Sequence, residues 1–369
     1  MGCELCWLIL LPAETTRIIP GLHRELGCSA CTYRLSAASV MTPRDSQHPI
    51  LIAWRNVVVQ DIAERTRARA KRGAELGDWA LGVTRNLVDD ASSLALDDED
   101  LVPEVAPGVV SGTAAYPTMI AIDSLVAIAK LVEGNGSVRE PAADIGHAGA
   151  ILTLCRMATE STARTIWLLS SPDRAVRRSL SVRFSLSELI AQGGAHQLQR
   201  KWFKDGGGRS MPVEHENYLK GVQLYEERLN VFKKAQEGTR KANVPENRAL
   251  VEAAGRWLDL HPPAHVPDGP FGRDGFGFEQ SAAAFYNLSS GIVHGLKWVT
   301  DWMPTGSPDL ARVVLETLSS AVGMVECAVA LFEAQAQNRA CKTERPRLYP
   351  EVLQPTIDEW AALFSVTSA

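Results

Sequence analysis

Apolar residues recur along most of this chain with the 3.6-residue period of an α-helix, and no segment reads as a strand. Tyr218, Val222, Tyr225, Leu229 and Phe232 form one stripe; Val314, Leu318, Val322, Val325, Val329 and Phe332 form another. The pattern predicts helices over about 51–94, 118–133, 142–170, 172–192, 213–236, 246–260, 278–302, 308–338 and 350–364. S-P-D occurs at Ser171-Pro172-Asp173 and again at Ser307-Pro308-Asp309. Serine caps backbone N–H groups, proline suits the first helical position and aspartate the positive end of the dipole, so both are start signals.

Breaks are expected where helix-formers fail. The acidic group Asp97, Asp98, Glu99, Asp100 and the Pro/Val/Gly-rich stretch to Ala115 read as a loop, as do 204–212 around D-G-G-G-R and the Pro/Gly-rich 261–277. The expected fold class is therefore all-α, a multi-helix bundle of long amphipathic and buried helices. Residues 1–40 stand apart, with four of the seven cysteines and little periodicity, and 41–365 read as one helical body with sub-boundaries in those three loops.

Composition changes this picture little. With 369 residues, 46% hydrophobic and 22% charged, the chain is long enough and apolar enough for a sizeable core. A net charge of −5 argues against a protein that coats nucleic acid along its whole surface. The apolar segments Met119–Val132 and Val313–Phe332 carry Asp123 and Lys130, and Glu316 and Glu326, so both read as core helices with no membrane span expected. The start, M-G-C-E-L-C-W-L-I-L-L-P, lacks the basic region of a signal peptide, which predicts a cytoplasmic protein with free thiols at Cys155, Cys327 and Cys341.

Two polar stripes carry the candidate chemistry. In I-L-T-L-C-R-M-A-T-E-S-T-A-R-T-I-W-L-L, a helix apolar on nearly every face, Arg156, Glu160 and Arg164 fall at i, i+4 and i+8. Such charges are rarely buried unpaired, so the stripe is read either as an internal ion-pair network or as a pair bridged by Glu160 whose second arginine has spare donors for a phosphate or carboxylate. In Y-N-L-S-S-G-I-V-H-G, Tyr286, Ser290 and His294 have the same spacing among small residues that admit a close neighbour. If the stripes meet, His294 with Glu160, Arg156 and Arg164 forms a catalytic candidate, and Tyr286, Asn287 and Ser290 a binding one. The bland reading of His294 is a structural histidine.

The R-x3-E-x3-R helix followed by the Y-x3-S-x3-H-G helix resembles bacterial helical domains of unknown function, some of which are compared with HEPN domains. The resemblance spans about residues 140–300. It implies a helical bundle, in many HEPN proteins a dimeric RNase of toxin and antiphage systems, with an R-x4–6-H motif at the scissile phosphate. That spacing occurs at Arg17/His23, Arg209/His215 and Arg256/His261, and only the last fits one uninterrupted helix. His294 has no arginine at the required distance upstream.

The remaining features are weighed likewise. Cys3-x2-Cys6 and Cys28-x2-Cys31 supply four thiolates for zinc, the alternative being a start at Met41 with an unstructured or untranslated stretch before it. Arg65, Arg69 and Arg72 share a helical face; Arg174, Arg177, Arg178 and Arg183 make a second basic helix, followed by Arg200, Lys201 and Lys204 around Trp202. These read as solvated faces, with phosphate tracking as the alternative. Trp54, Trp79, Trp167, Trp257 and Trp360 read as core. The first functional expectation is a non-enzymatic binding or interaction protein without a cofactor, its stress or phage-defence setting coming from the resemblance alone. Alternatives are an RNase or other hydrolase at His294, and a zinc-dependent nucleic-acid-binding protein. Expected partners are a protein or an anionic ligand, with nucleic acid or a homodimer as further readings.

Overall fold

The computed structural model describes residues 49–83, 87–102, 107–134, 147–207, 210–237, 243–266, 277–303, 306–339 and 345–364. Contacts divide the chain into two compact units, Met1–Val58 and Val59–Ala369. Of the first, only the helical path of 49–58 is described, and the account below concerns the second. Cys3, Cys6, Cys28, Cys31, Cys341, Arg17, His23, Arg209 and the Trp54 side chain lie outside the described residues.

Among the described residues the regular elements are all helical, as the 3.6-residue period predicted. They are α1 (Pro49–Ala74), α2 (Gly77–Val83), α3 (Ser93–Glu99), α4 (Val109–Gly134), α5 (Ala148–Leu169), α6 (Arg174–Trp202), α7 (Pro212–Glu237), α8 (Asn247–Leu260), α9 (Gly277–Val293), α10 (Ser307–Ala336) and α11 (Gln354–Ala361), with short 3-10 and π turns between. The two S-P-D segments do open helices. At the first the N-cap is Asp173, whose carboxylate accepts from Ala175 N at 2.8 Å, while Ser171 Oγ accepts from Asp173 N. At the second, Gly306 with φ +73° precedes the helix and Pro308 lies in its first turn.

Helices α5 and α10 are the centre of the unit. α5 packs against α4, α8, α9 and α10, and α10 in addition against α11. The predicted stripe on α10 is buried, but so are Ala321, Met324, Cys327, Ala328, Ala330 and Leu331 around it. Removing each large apolar side chain from water contributes about 1.5–3 kcal/mol. Among the described residues two helices are long and apolar enough to cross a membrane; 83% of the apolar window of Pro308–Ala336 and 50% of that of Val109–Glu133 are buried.

An enclosed α10 carries charges that need partners. The Glu333 side chain is 2% exposed; it accepts from Trp79 Nε1 at 2.7 Å, from Gln337 Nε2 at 2.8 Å and from both terminal nitrogens of Arg345. Glu326 is gripped by Arg72 of α1 through two N–H groups, and His265 Nε2 lies 3.6 Å from its second oxygen. Nδ1 of the same ring meets Thr356 Oγ1 of α11 at 2.8 Å. Burial alone would push the Glu326 carboxyl up, but the His265 ring and the Arg72 guanidinium outweigh it and hold the group below its ordinary range.

The acidic group at 97–100 corrects the expected loop. Residues 93–99 are helical because Ser92 caps the turn by accepting from Ala95 N, and Asp97 is fully buried. Its carboxylate takes Arg177 at 2.7 Å and Arg174 at 2.8 Å, and Asp100 takes Arg174 and Arg178. Asp98 Oδ1 accepts from Val110 N and Ser111 N and so caps α4, which begins well before the expected residue 118. The basic start of α6 is therefore neither a solvated face nor a phosphate track: Arg177 is enclosed, with Ser93 Oγ and the carbonyls of Ser171 and Pro172 taking its other donors. Of the predicted core tryptophans, Trp79 and Trp360 are buried, while Trp167 and Trp257 are half-buried.

Beyond Leu189, α6 leaves this body and pairs with α7 as an antiparallel arm. The predicted stripe on α7 faces α6: Tyr225 lies against His196 with rings 4.9 Å apart, and Tyr218 against Phe203 at 5.0 Å. Of α7 only Phe232 is buried.

Two outcomes test the charges inside the core. Arg345→Met is expected to lower unfolding stability by about 3–5 kcal/mol, since it strands a buried carboxylate, as read from urea midpoints; a loss under about 1 kcal/mol would show that Glu333 does not depend on the pair. Because folded Glu326 titrates below the unfolded value of about 4.3, its stabilisation is complete above that value and fades as pH falls through the folded one. The stability deficit of Glu326→Gln, large at neutral pH, is expected to narrow below about pH 4. A deficit independent of pH would contradict the ionised assignment.

Candidate functional site

The site is built where α8 and α9 close over α5. Asp259 near the end of α8 accepts from Phe278 N at 2.6 Å and Glu279 N at 3.0 Å, capping α9. Gly255 lets the two helices touch: a Cβ there would stand 2.5 Å from the Glu279 Cα. Exposed Arg256 joins Glu279 at 2.7 Å across the same contact. The start of α8 is held against α5 by Asn247 itself, through Glu160 and Arg164.

The two polar stripes do meet. Arg156 Nε donates to Glu160 Oε1 at 2.9 Å, its Nη2 reaches Tyr286 Oη at 3.4 Å, and its guanidinium lies 5.1 Å from the centre of the Tyr286 ring. Glu160 does not pair directly with Arg164. Asn247 stands between them, donating from Nδ2 to Glu160 Oε2 at 3.1 Å and accepting at Oδ1 from Arg164 Nη2 at 3.1 Å. Arg156, Glu160 and Arg164 are all half-buried.

Electrostatics follow from that order. Burial would lower the Arg156 pKa, but Glu160 and the Tyr286 hydroxyl outweigh it and the group is held above its ordinary value. The Tyr286 phenol is pushed up by burial and by the Glu160 charge, with Arg156 opposing, so it stays protonated. Glu160 accepts from Arg156 at one oxygen and from Asn247 at the other, beside the protonated phenol.

His294 stands elsewhere. The contacts Arg156–Tyr286 and Gly149–Ile292 show that α9 runs antiparallel to α5, so each step toward His294 leads away from Glu160. Eight residues of helical rise put it about 12 Å along the axis from Tyr286. It follows the last residue of α9 and is exposed. Gly295, with φ +64°, stops the helix there: Leu296 N donates to Gly291 O at 2.8 Å and Gly295 N to Ile292 O at 2.9 Å, a Schellman pair that ends the helix nine residues short of the expected 302. Asn287 is exposed and Ser290 half-buried. Of the Arg256/His261 pair, Arg256 is engaged by Glu279, and the His261 ring stacks 4.6 Å from Trp257 and meets its carbonyl at 3.0 Å.

Two participants were not among the predicted residues. Asn247 is a single amide in P-E-N-R, and its only signal is its place at the start of a helix. The other is the hydroxyl–imidazole–carboxylate chain Thr356–His265–Glu326, whose order resembles a hydrolase relay. Thr356 is fully buried, His265 and Glu326 nearly so, and Thr356 Oγ1 also accepts from His265 N at 3.0 Å, so the chain works as a clamp between α10 and α11. Among the described residues no group of three or more His, Cys, Asp or Glu is placed to hold a metal ion. Comparison with family models, curated proteins and solved structures found no match.

The cluster makes an ordering that can be measured. Asn247→Ala, which breaks hydrogen bonds to two charged groups, is expected to cost about 1.5–3 kcal/mol, and Tyr286→Phe, which removes one long bond, less than about 1 kcal/mol. Urea denaturation of both variants checks this, and the reverse order would mean that the phenol hydroxyl organises the cluster.

Proposed function

We propose that the chain is a non-enzymatic helical binding protein that takes an oxyanion, a phosphate or carboxylate group, against Arg164. The observation that carries this is the unequal use of the two arginines. Arg156 is neutralised by Glu160 at 2.9 Å, whereas Arg164 spends one donor on the neutral Asn247 amide and forms no ion pair within 4 Å among the described residues. Glu188 stands farther off, with its carboxyl raised by burial and only opposed by Arg164. A half-buried guanidinium with several N–H groups in one plane matches a carboxylate or phosphate edge. Next to it α8 begins at Asn247, which touches Arg164, and the Glu246 side chain caps none of the N–H groups of that helix end, so an uncapped positive helix end lies beside the guanidinium.

On this reading His294 has no part in binding and the Arg156–Glu160 pair supports Arg164. The test is a thermal shift and calorimetric titration with inorganic phosphate and with acetate, against sodium chloride at equal ionic strength. Stabilisation by at least one anion beyond the chloride control is expected, lost in Arg164→Ala and kept in Arg248→Ala and His294→Ala. Which anion responds separates a phosphate site from a carboxylate site. Equal responses of wild type and Arg164→Ala would overturn the proposal.

A further inference from the structure

Near Arg164 stands a second charged group that the fold leaves unpaired. Glu188 of α6 forms no hydrogen bond and no ion pair within 4 Å among the described residues. Helical period fixes its place. Arg177, Ser181 and Phe184 are buried on the side of α6 that meets the body, and Glu188 follows Phe184 by four residues on that same side. Leu189 beside it is the last buried residue of the helix, and Glu188 itself is exposed. It therefore stands where α6 leaves the body and solvent first reaches that side.

Packing around the carboxyl pushes its pKa up, and Arg164 of α5 opposes the shift. The two charges feel each other without pairing. Arg183 does not stand between them: its guanidinium lies 5.4 Å from the centre of the Trp167 ring and donates to Asn243 O at 2.6 Å, about 140° round α6 from Glu188. Where this fold uses charge to fix its helices, it closes the pairs directly, as at Asp97, Glu326 and Glu333. Here a guanidinium with spare donors and a carboxylate with no donor are held apart, and the Asn247 amide occupies only one donor of the arginine. Two opposite charges farther apart than an ion pair suit a ligand that carries both charges itself and bridges them. A bare anion gains less there, because Glu188 repels it.

Resting on the oxyanion reading of Arg164, we infer that the ligand is a short zwitterion, an ammonium a few bonds from a carboxylate or phosphate, whose ammonium is taken by Glu188 while its oxyanion lies on Arg164. Calorimetric titration of the full-length protein at neutral pH and one ionic strength compares glycine with acetate, and phosphoethanolamine with inorganic phosphate. At least one zwitterion is expected to bind about 10-fold or more tightly than its matched anion, the gain that one charge-assisted hydrogen bond supplies. The pair that responds separates an amino acid from an aminoalkyl phosphate. Glu188→Gln, at an exposed position with no bond to lose, is expected to erase the preference and to bind the bare anion more tightly than wild type does. Arg164→Ala is expected to abolish both. A purely structural role for Glu188 would instead shift zwitterion and anion in the same direction. Equal binding of zwitterion and anion in both pairs, or a preference that survives Glu188→Gln, overturns the role of Glu188 and leaves the oxyanion site standing. Binding of none of the four overturns the Arg164 reading as well.

Discussion

Burying a carboxylate is tolerable only when cations or donors are buried with it, and α10 carries two such carboxylates through the centre of the protein. Glu333 draws in Trp79 of α2, Arg345 and Gln337. Glu326 draws in Arg72 of α1 and the His265 ring, and through that ring Thr356 of α11. Elements distant in sequence are thus held to one helix by charge as well as by apolar contact. Hydrophobic packing is not directional, so it does not by itself choose the face α11 or the 261–266 segment presents; the hydrogen bonds to these side chains do. Asp97 plays the same part at the other end, tying α3 to the start of α6.

The candidate site belongs to the same economy of charge with one difference. Arg156, Glu160, Asn247 and Arg164 form a chain in which one neutral amide separates an ion pair from a second guanidinium. Its placement beside the start of α8, with Asp259 and Gly255 setting the angle of α9, makes the site a product of the α5–α8–α9 contact and not of any one helix.

How much of this was legible in the sequence differs from element to element. The stripes of α7 and α10 gave their helices and inward faces directly, because period alone determines which side chains share a face. Period says nothing about what covers the opposite face, which is why α10, enclosed on all sides, and α7, open on one, read alike. The Asp97–Asp100 run read as a solvated loop because the arginines that bury it come 77 and 80 residues later. Arg156 and Tyr286 were found because they repeat at helical spacing in unusually polar stripes, whereas Asn247 acts alone and repeats nothing. Gly295 was taken into the helix with its neighbours; its left-handed φ is the stop that carries His294 out into solvent.

The arm sharpens the contrast between inside and outside. In the body, each buried charge described above meets a partner. α7 has one buried residue and depends mainly on α6, so its stability rests on a narrow seam of Tyr218, Tyr225, His215 and Phe203 ring contacts. A helix of 26 residues supported on one side is the kind of element that opens first, since local stability follows the apolar contacts an element makes.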